Sequence, residues 1–169
     1  MARWVALLRG INLGPSHKVP MADLRALLSD DLGYDDVKTL INSGNVVFTA
    51  GGSAGAHEKK IASAPERRFG FPVPTIVRSV ASVKKVLADN PFDGAPDKQL
   101  HIVFVSAKPS MPAPEDIAPD EAVYGQKVVY LRMPNGIAGG KVGDLGKAKG
   151  SPVATSRTVA TVKKLVALA

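Results

Sequence analysis

Apolar residues along this chain recur at two spacings, and the change from one to the other separates strands from helices. Arg3 to Arg9 is an apolar run too short for a helix and reads as a buried strand. Pro20 then opens a helix, on which Met21, Leu24, Leu27, Leu28 and Leu32 fall at helical spacing and form one apolar face. Gly33 closes it as a C-cap. Val37 to Ile41 and Val46 to Thr49 read as two strands joined by the tight turn Asn42-Ser43-Gly44-Asn45. Residues 56–69 have a helical pattern that Pro65 is expected to kink or shorten. Val73 to Val77 is a further strand. The order β-α-β-β-α-β is that of a ferredoxin-like unit.

The second half is less regular. Val80, Val83, Val86 and Leu87 give a helix that Asn90-Pro91 stops. Leu100 to Val105 is a strongly apolar strand. Four prolines between residues 107 and 119 leave room for one short helix, between Pro114 and Ala118. Glu121 to Tyr124 and Lys127 to Arg132 pair as a hairpin turning at Gly125-Gln126. Residues 135–150, rich in Gly and Lys, form a long loop. A last helix is expected from about Ser156, with Thr155 as its N-cap and Val159, Val162, Leu165 and Val166 on its buried stripe. The expected fold class is α+β: a ferredoxin-like βαββαβ unit over residues 1–79, and a second, less regular α/β half over residues 80–169.

Composition and charge narrow the function classes. The 169 residues include no cysteine, which removes disulfide scaffolds, thiolate metal sites and cysteine nucleophiles. No apolar run approaches the ~20 residues needed to cross a bilayer, and Arg9 and Asn12 interrupt the N-terminal apolar stretch before it can serve as a signal peptide. The expectation is a soluble, cytoplasmic protein without a membrane partner. The net charge of +7 lies in the last quarter. There Lys127, Arg132, Lys141, Lys147, Lys149, Arg157, Lys163 and Lys164 face Asp144 alone, while residues 1–126 balance. Such asymmetry suits an anionic partner, or a solvated basic face.

The N-terminal blocks are distinctive. Trp4-Val5-Ala6-Leu7-Leu8-Arg9-Gly10-Ile11-Asn12-Leu13-Gly14 is followed by Lys18-Val19-Pro20-Met21, then by Asn42-Ser43-Gly44-Asn45-Val46-Val47-Phe48. This set resembles the bacterial family of proteins of unknown function DUF1697. Its marks are a leucine-rich strand ending in Arg-Gly-Ile-Asn, a Val-Pro-Met helix start and a Ser-Gly-Asn hairpin. The resemblance is strong to residue 50, weak over 51–120 and partial beyond. The family closes with Thr-x-Arg-Asn-Trp. Thr155-Ser156-Arg157-Thr158-Val159 keeps the Thr and Arg and replaces the Asn and Trp. The resemblance implies an α+β fold of ferredoxin-like character and no particular activity.

Familiar catalytic patterns are missing. His17, His57 and His101 have no metal-ligand spacing, and no Gly-x-Ser-x-Gly elbow occurs. Residues 139–147 imitate a phosphate loop but fail the Walker A spacing, so no cofactor is expected. Topology offers a better candidate. A right-handed β-α-β crossover brings the C-terminal ends of the first two strands to one sheet edge. Arg9, Asn12, His17, Lys18, Asn42, Ser43 and Asn45 then converge there. Arg9 and Lys18 suit a phosphate or carboxylate, with Asn12, Asn42 and Asn45 orienting it. Arg157 joins them if the last helix directs its N-terminus to that edge. The preferred reading is binding of a small anionic ligand at the edge of residues 9–18 and 42–45. The alternatives are non-specific nucleic-acid binding through the basic last quarter, or a protein-interaction module without ligand. Aromatics make up only 5% of the chain, and Trp4, Phe48 and Phe104 lie in apolar strands, so a stacking platform for bases is not expected.

Overall fold

The structure, a computed structural model, describes residues 1–92 and 94–169. The chain divides into two compact units, Met1–Val83 with Leu165–Ala169, and Lys84–Lys164.

The first unit contains β1 (Ala2–Leu8), α1 (Met21–Ala26), a π-helical turn (Leu27–Asp31), β2 (Asp35–Leu40), β3 (Asn45–Ala50), α2 (Ala54–Phe69) and β4 (Thr75–Ser79). The following helix, α3 (Val80–Ala88), begins in this unit. The strands form one antiparallel sheet in the order β2-β3-β1-β4, the ferredoxin-like arrangement. Because strand side chains alternate, Trp4, Ala6 and Leu8 share a face. They pack with Val46, Phe48 and Ala50 of β3, Leu24, Leu27 and Leu28 of the first helix, and Ile61 of α2. Full burial of a side chain such as Leu28 or Phe48 contributes about 1.5–3 kcal/mol. Within this core His57 is buried, its Nδ1 2.8 Å from the Tyr34 hydroxyl and its ring edge-on to Trp4 and Phe48. Burial, and then the nearby Lys60 charge, hold its pKa below the ordinary 6.5.

Three local outcomes differ from the sequence expectation. The first helix loosens into a π turn, with Leu32 N–H donating to Leu27 O at 3.2 Å, before Gly33 takes a left-handed φ of 69°. Pro65 does not shorten α2, which runs to Phe69 and ends at left-handed Gly70. The returning chain supplies a donor to this stretch, since Val73 N–H donates to Ala62 O at 2.9 Å, and the proline ring itself is buried. β4 begins at Thr75 rather than Val73, because Pro72 and Pro74 have no N–H to give a ladder.

The second unit contains β5 (Leu100–Val105), α4 (Pro114–Ile117), β6 (Glu121–Tyr124), β7 (Val128–Arg132) and β8 (Ala154–Thr158). The helix α5 (Val159–Leu168) begins here. The sheet order β6-β7-β5-β8, all antiparallel, repeats the first sheet strand for strand. Thr155 is therefore not an N-cap: it lies in β8, opposite Phe104 of β5. β5 would otherwise leave backbone groups unpaired along that edge, and pairing with it outweighs the weak local pattern of Thr155-Ser156-Arg157-Thr158. The helix starts later, where Thr158 Oγ1 accepts from Thr161 N–H at 3.2 Å.

The repetition extends to sequence. Arg78-Ser79-Val80-Ala81-Ser82-Val83-Lys84-Lys85 corresponds to Arg157-Thr158-Val159-Ala160-Thr161-Val162-Lys163-Lys164. Ser79 caps Ser82 N–H as Thr158 caps Thr161, and each arginine donates to the preceding carbonyl, Val77 O or Ser156 O. Arg78 lies opposite Val5, and Arg157 opposite Ile102. His101 thus occupies in β5 the place of Trp4 in β1. Between β7 and β8, where the first unit has its long helix, the second has the Gly/Lys-rich stretch without helix or strand. Val142 and Leu145 of that stretch pack on Val103, Val105, Val129, Leu131 and Met133.

Candidate functional site

Antiparallel pairing in the order β2-β3-β1-β4 gathers four chain ends at one edge: those following β1 and β2 and those preceding β3 and β4. Backbone hydrogen bonds join them. Leu8 N–H donates to Gly44 O and Arg9 N–H to Pro74 O, both at 2.9 Å. Gly44 has a φ of 82°, and a Cβ there would lie 2.6 Å from Leu8 Cβ, so the hairpin turn closes on β1 only as glycine.

The asparagines serve this closure. Asn12, at a left-handed φ of 56°, donates from Nδ2 to Val19 O and to Asn42 O, each at 2.8 Å. Its Oδ1 accepts from Val19 N–H at 2.8 Å. The amide thereby folds the loop on itself and clasps it to the turn. Asn45 is completely buried, and its Nδ2 donates to Leu40 O and to Ser43 Oγ. Asn42 is exposed and meets Asn12 through its carbonyl.

Arg9 and His17, with Gly10 and Ile11, line one side of a cleft of about 150 Å³, and Phe71 to Pro74 line the other. Arg9 is half-buried, while His17 and Lys18 are exposed. The His17 ring stands edge-on to Phe71, with centroids 4.5 Å apart. The structure thus brings together residues 9–18 and 42–45, and adds Phe71 to Pro74. The sequence signal for that addition was the β4 start, which antiparallel order places beside the end of β1.

Arg157 belongs to the second unit and sits within β8, not at a helix N-terminus. It is buried, and burial lowers its pKa to about 10. It donates to Thr155 Oγ1 at 2.7 Å and to Ser156 O at 2.8 Å. Several other cations of the last quarter are engaged with the protein. Arg132 pairs with Glu121, Lys163 with Asp97, and Lys141 Nζ donates to Ala118 O. Lys147, Lys149 and Lys164 are exposed. Among the described residues, no cluster of three or more His, Cys, Asp or Glu is arranged to hold a metal, and no helix is long and apolar enough to cross a membrane.

Residues 1–131 match a family model described as protein of unknown function (DUF1697). The chain belongs to this family. The DUF1697 fold is shared with a solved structure, conserved bacterial protein SP0830 from Streptococcus pneumoniae. The two are 21% identical and superpose with a TM-score of 0.73, over 99% of this chain and 98% of that one. A comparison with curated proteins finds no match. The matched residues include the Arg9–Lys18 loop and the Asn42–Asn45 turn.

Proposed function

We propose that this protein binds a small anionic ligand, carrying phosphate or carboxylate, at the edge formed by residues 9–18 and 42–45. The observation that supports the reading is the cleft itself, which Arg9 and His17 line on one side and Phe71 to Pro74 on the other. Arg9 supplies a planar fork of donors, and Lys18 adds charge from the adjoining loop. The role of Asn12 and Asn45 is to hold the loop and turn in place, so that the cationic side chains are organised before a ligand arrives. A volume of about 150 Å³ suits a phosphate or short carboxylate group, with the remainder of a larger ligand outside.

The test is a thermal-shift screen of nucleotides, sugar phosphates and carboxylates against wild type and Arg9→Gln. A ligand bound to the folded state alone raises the melting temperature by mass action. The expected result is a rise for at least one phosphate or carboxylate compound that Arg9→Gln abolishes. No rise with any compound, or an equal rise in the variant, overturns the reading.

A further inference from the structure

The helical face of the first unit carries a second recess, of about 560 Å³, within the range that holds small organic ligands. One wall is α2, whose Lys60, Ser63, Ala64 and Arg67 recur at helical spacing and so share a face, with Arg68 beside them. The opposite wall is the π-helical turn and the residue after it, contributing Leu27, Asp31 and Leu32. A π turn inserts a residue into the helical repeat, and such insertions occur frequently at functional sites.

The lining has two chemical parts. Leu27 is buried and Leu32 and Ala64 are half-buried, giving an apolar floor. The rim holds three cations and one acid. Arg68 faces Asp31 at 4.0 Å. The side chains of Lys60 and Arg67 form no ion pair among the described residues and are exposed. The rim therefore keeps two uncompensated positive charges, two helical turns apart on one face, above an apolar surface. A monoanion would leave one of them unmatched. A dianionic phosphate can engage both, with the arginine fork as the stronger donor.

We propose that this recess binds a small phosphomonoester with an apolar or aromatic body, its phosphate held by Lys60 and Arg67 and its body against Leu27, Leu32 and Ala64. The site is separate from the edge cleft and does not depend on it. His57, buried one turn before Lys60 on the same helix, reports on it. Besides burial, the Lys60 charge opposes protonation of that ring. An anion on Lys60 offsets that repulsion, so the ring should titrate at higher pH when the recess is filled.

The probe is phenyl phosphate, titrated into isotopically labelled protein and followed by nuclear magnetic resonance. Inorganic phosphate and phenol serve as the two half-ligands. Phenyl phosphate is expected to shift the amides of residues 27–32 and 60–68, to bind at least about tenfold more tightly than either half-ligand, and to raise the His57 pKa. Arg67→Gln, and the double variant Lys60→Gln with Arg67→Gln, should melt at the wild-type temperature and weaken binding by about tenfold or more. Arg9→Gln should leave this binding unchanged. The proposal is overturned if millimolar phenyl phosphate shifts nothing, or if the double variant binds as wild type does. It is also overturned if the shifts fall only at residues 9–18 and 71–74, a result that assigns phosphate to the edge cleft instead.

Discussion

Asn12 and Asn42, thirty positions apart, are joined by a single hydrogen bond, from Asn12 Nδ2 to Asn42 O at 2.8 Å. The same side chain holds both polar atoms of the Val19 backbone. Asn12 is therefore the point at which the loop after β1 is tied to the turn after β2. Asn12→Gly keeps the left-handed backbone available and removes only the side chain. It is expected to cost about 1–3 kcal/mol in urea melts, the range for stranding hydrogen-bond partners, here the part-buried Val19 N–H and C=O. Asn12→Asp retains the acceptor for Val19 N–H but sets a carboxylate oxygen against the Val19 and Asn42 carbonyls, so it should be no more stable than Asn12→Gly. Wild-type stability in Asn12→Gly contradicts the clasp.

Gly44 tests the same edge from the other side. An added methyl meets Leu8 Cβ at 2.6 Å and Ile11 Cδ1 at 3.0 Å, at a φ of 82°. Overpacking and the left-handed backbone both oppose it, and Gly44→Ala should lose about 2–5 kcal/mol. Gly10 has a similar φ of 74° with nothing near its Cβ. Gly10→Ala should lose only the backbone part, about 1–2 kcal/mol. Equal losses would mean that Leu8 yields to the methyl.

The phase of the first helix is open to an equally direct check. Leu28 is fully buried, whereas Asp30, two residues on in the π turn, is exposed and its carboxylate accepts from the Ser29 hydroxyl. Leu28→Ala should cost about 2–5 kcal/mol. Asp30→Ala should change stability by no more than about 0.5 kcal/mol. Chemical denaturation of the two variants decides, and the reverse order would contradict the packing of the helix against β1 and β3.

Much of this architecture was legible because strong apolar runs end at strong breakers. Leu100–Val105 and Glu121–Tyr124 were read at their observed ends. β8 was not, because Ala154-Thr155-Ser156-Arg157-Thr158 has no apolar run and becomes a strand only through its pairing with β5. The signal that would have found it is the likeness of Arg157–Lys164 to Arg78–Lys85, which follows a strand of clear pattern. At the edge, the convergence of residues 9–18 with 42–45 follows from crossover handedness alone. The roles of Asn12 and Asn45 do not, since an asparagine in a turn has the same letter whether it faces a ligand or its own backbone. Phe71 to Pro74 carry no motif, and only the antiparallel return of β4 makes them part of the cleft.

Among the paired strands of the two repeats, His101 stands in the place of Trp4. Trp4 donates to Ala50 O. Among the described residues, neither ring nitrogen of His101 has a hydrogen-bond partner in its buried position. Burial holds its pKa below the ordinary 6.5, as it does for His57. Both rings are therefore neutral in the folded protein at a pH where the unfolded chain already takes up protons. Stability contributed by the neutral rings is present in full above about pH 6.5 and falls as the pH drops through that value toward the folded pKa. His101→Leu removes the unpaired nitrogens and keeps an apolar side chain beside Val103. It should gain about 1–3 kcal/mol at about pH 7.5. It should also reduce, without abolishing, the loss of stability between about pH 7.5 and about pH 5, because His57 still titrates. Urea melts at the two pH values measure both effects. A variant that is less stable at the higher pH and keeps the full acid-dependent loss would show that the His101 ring is paired in solution.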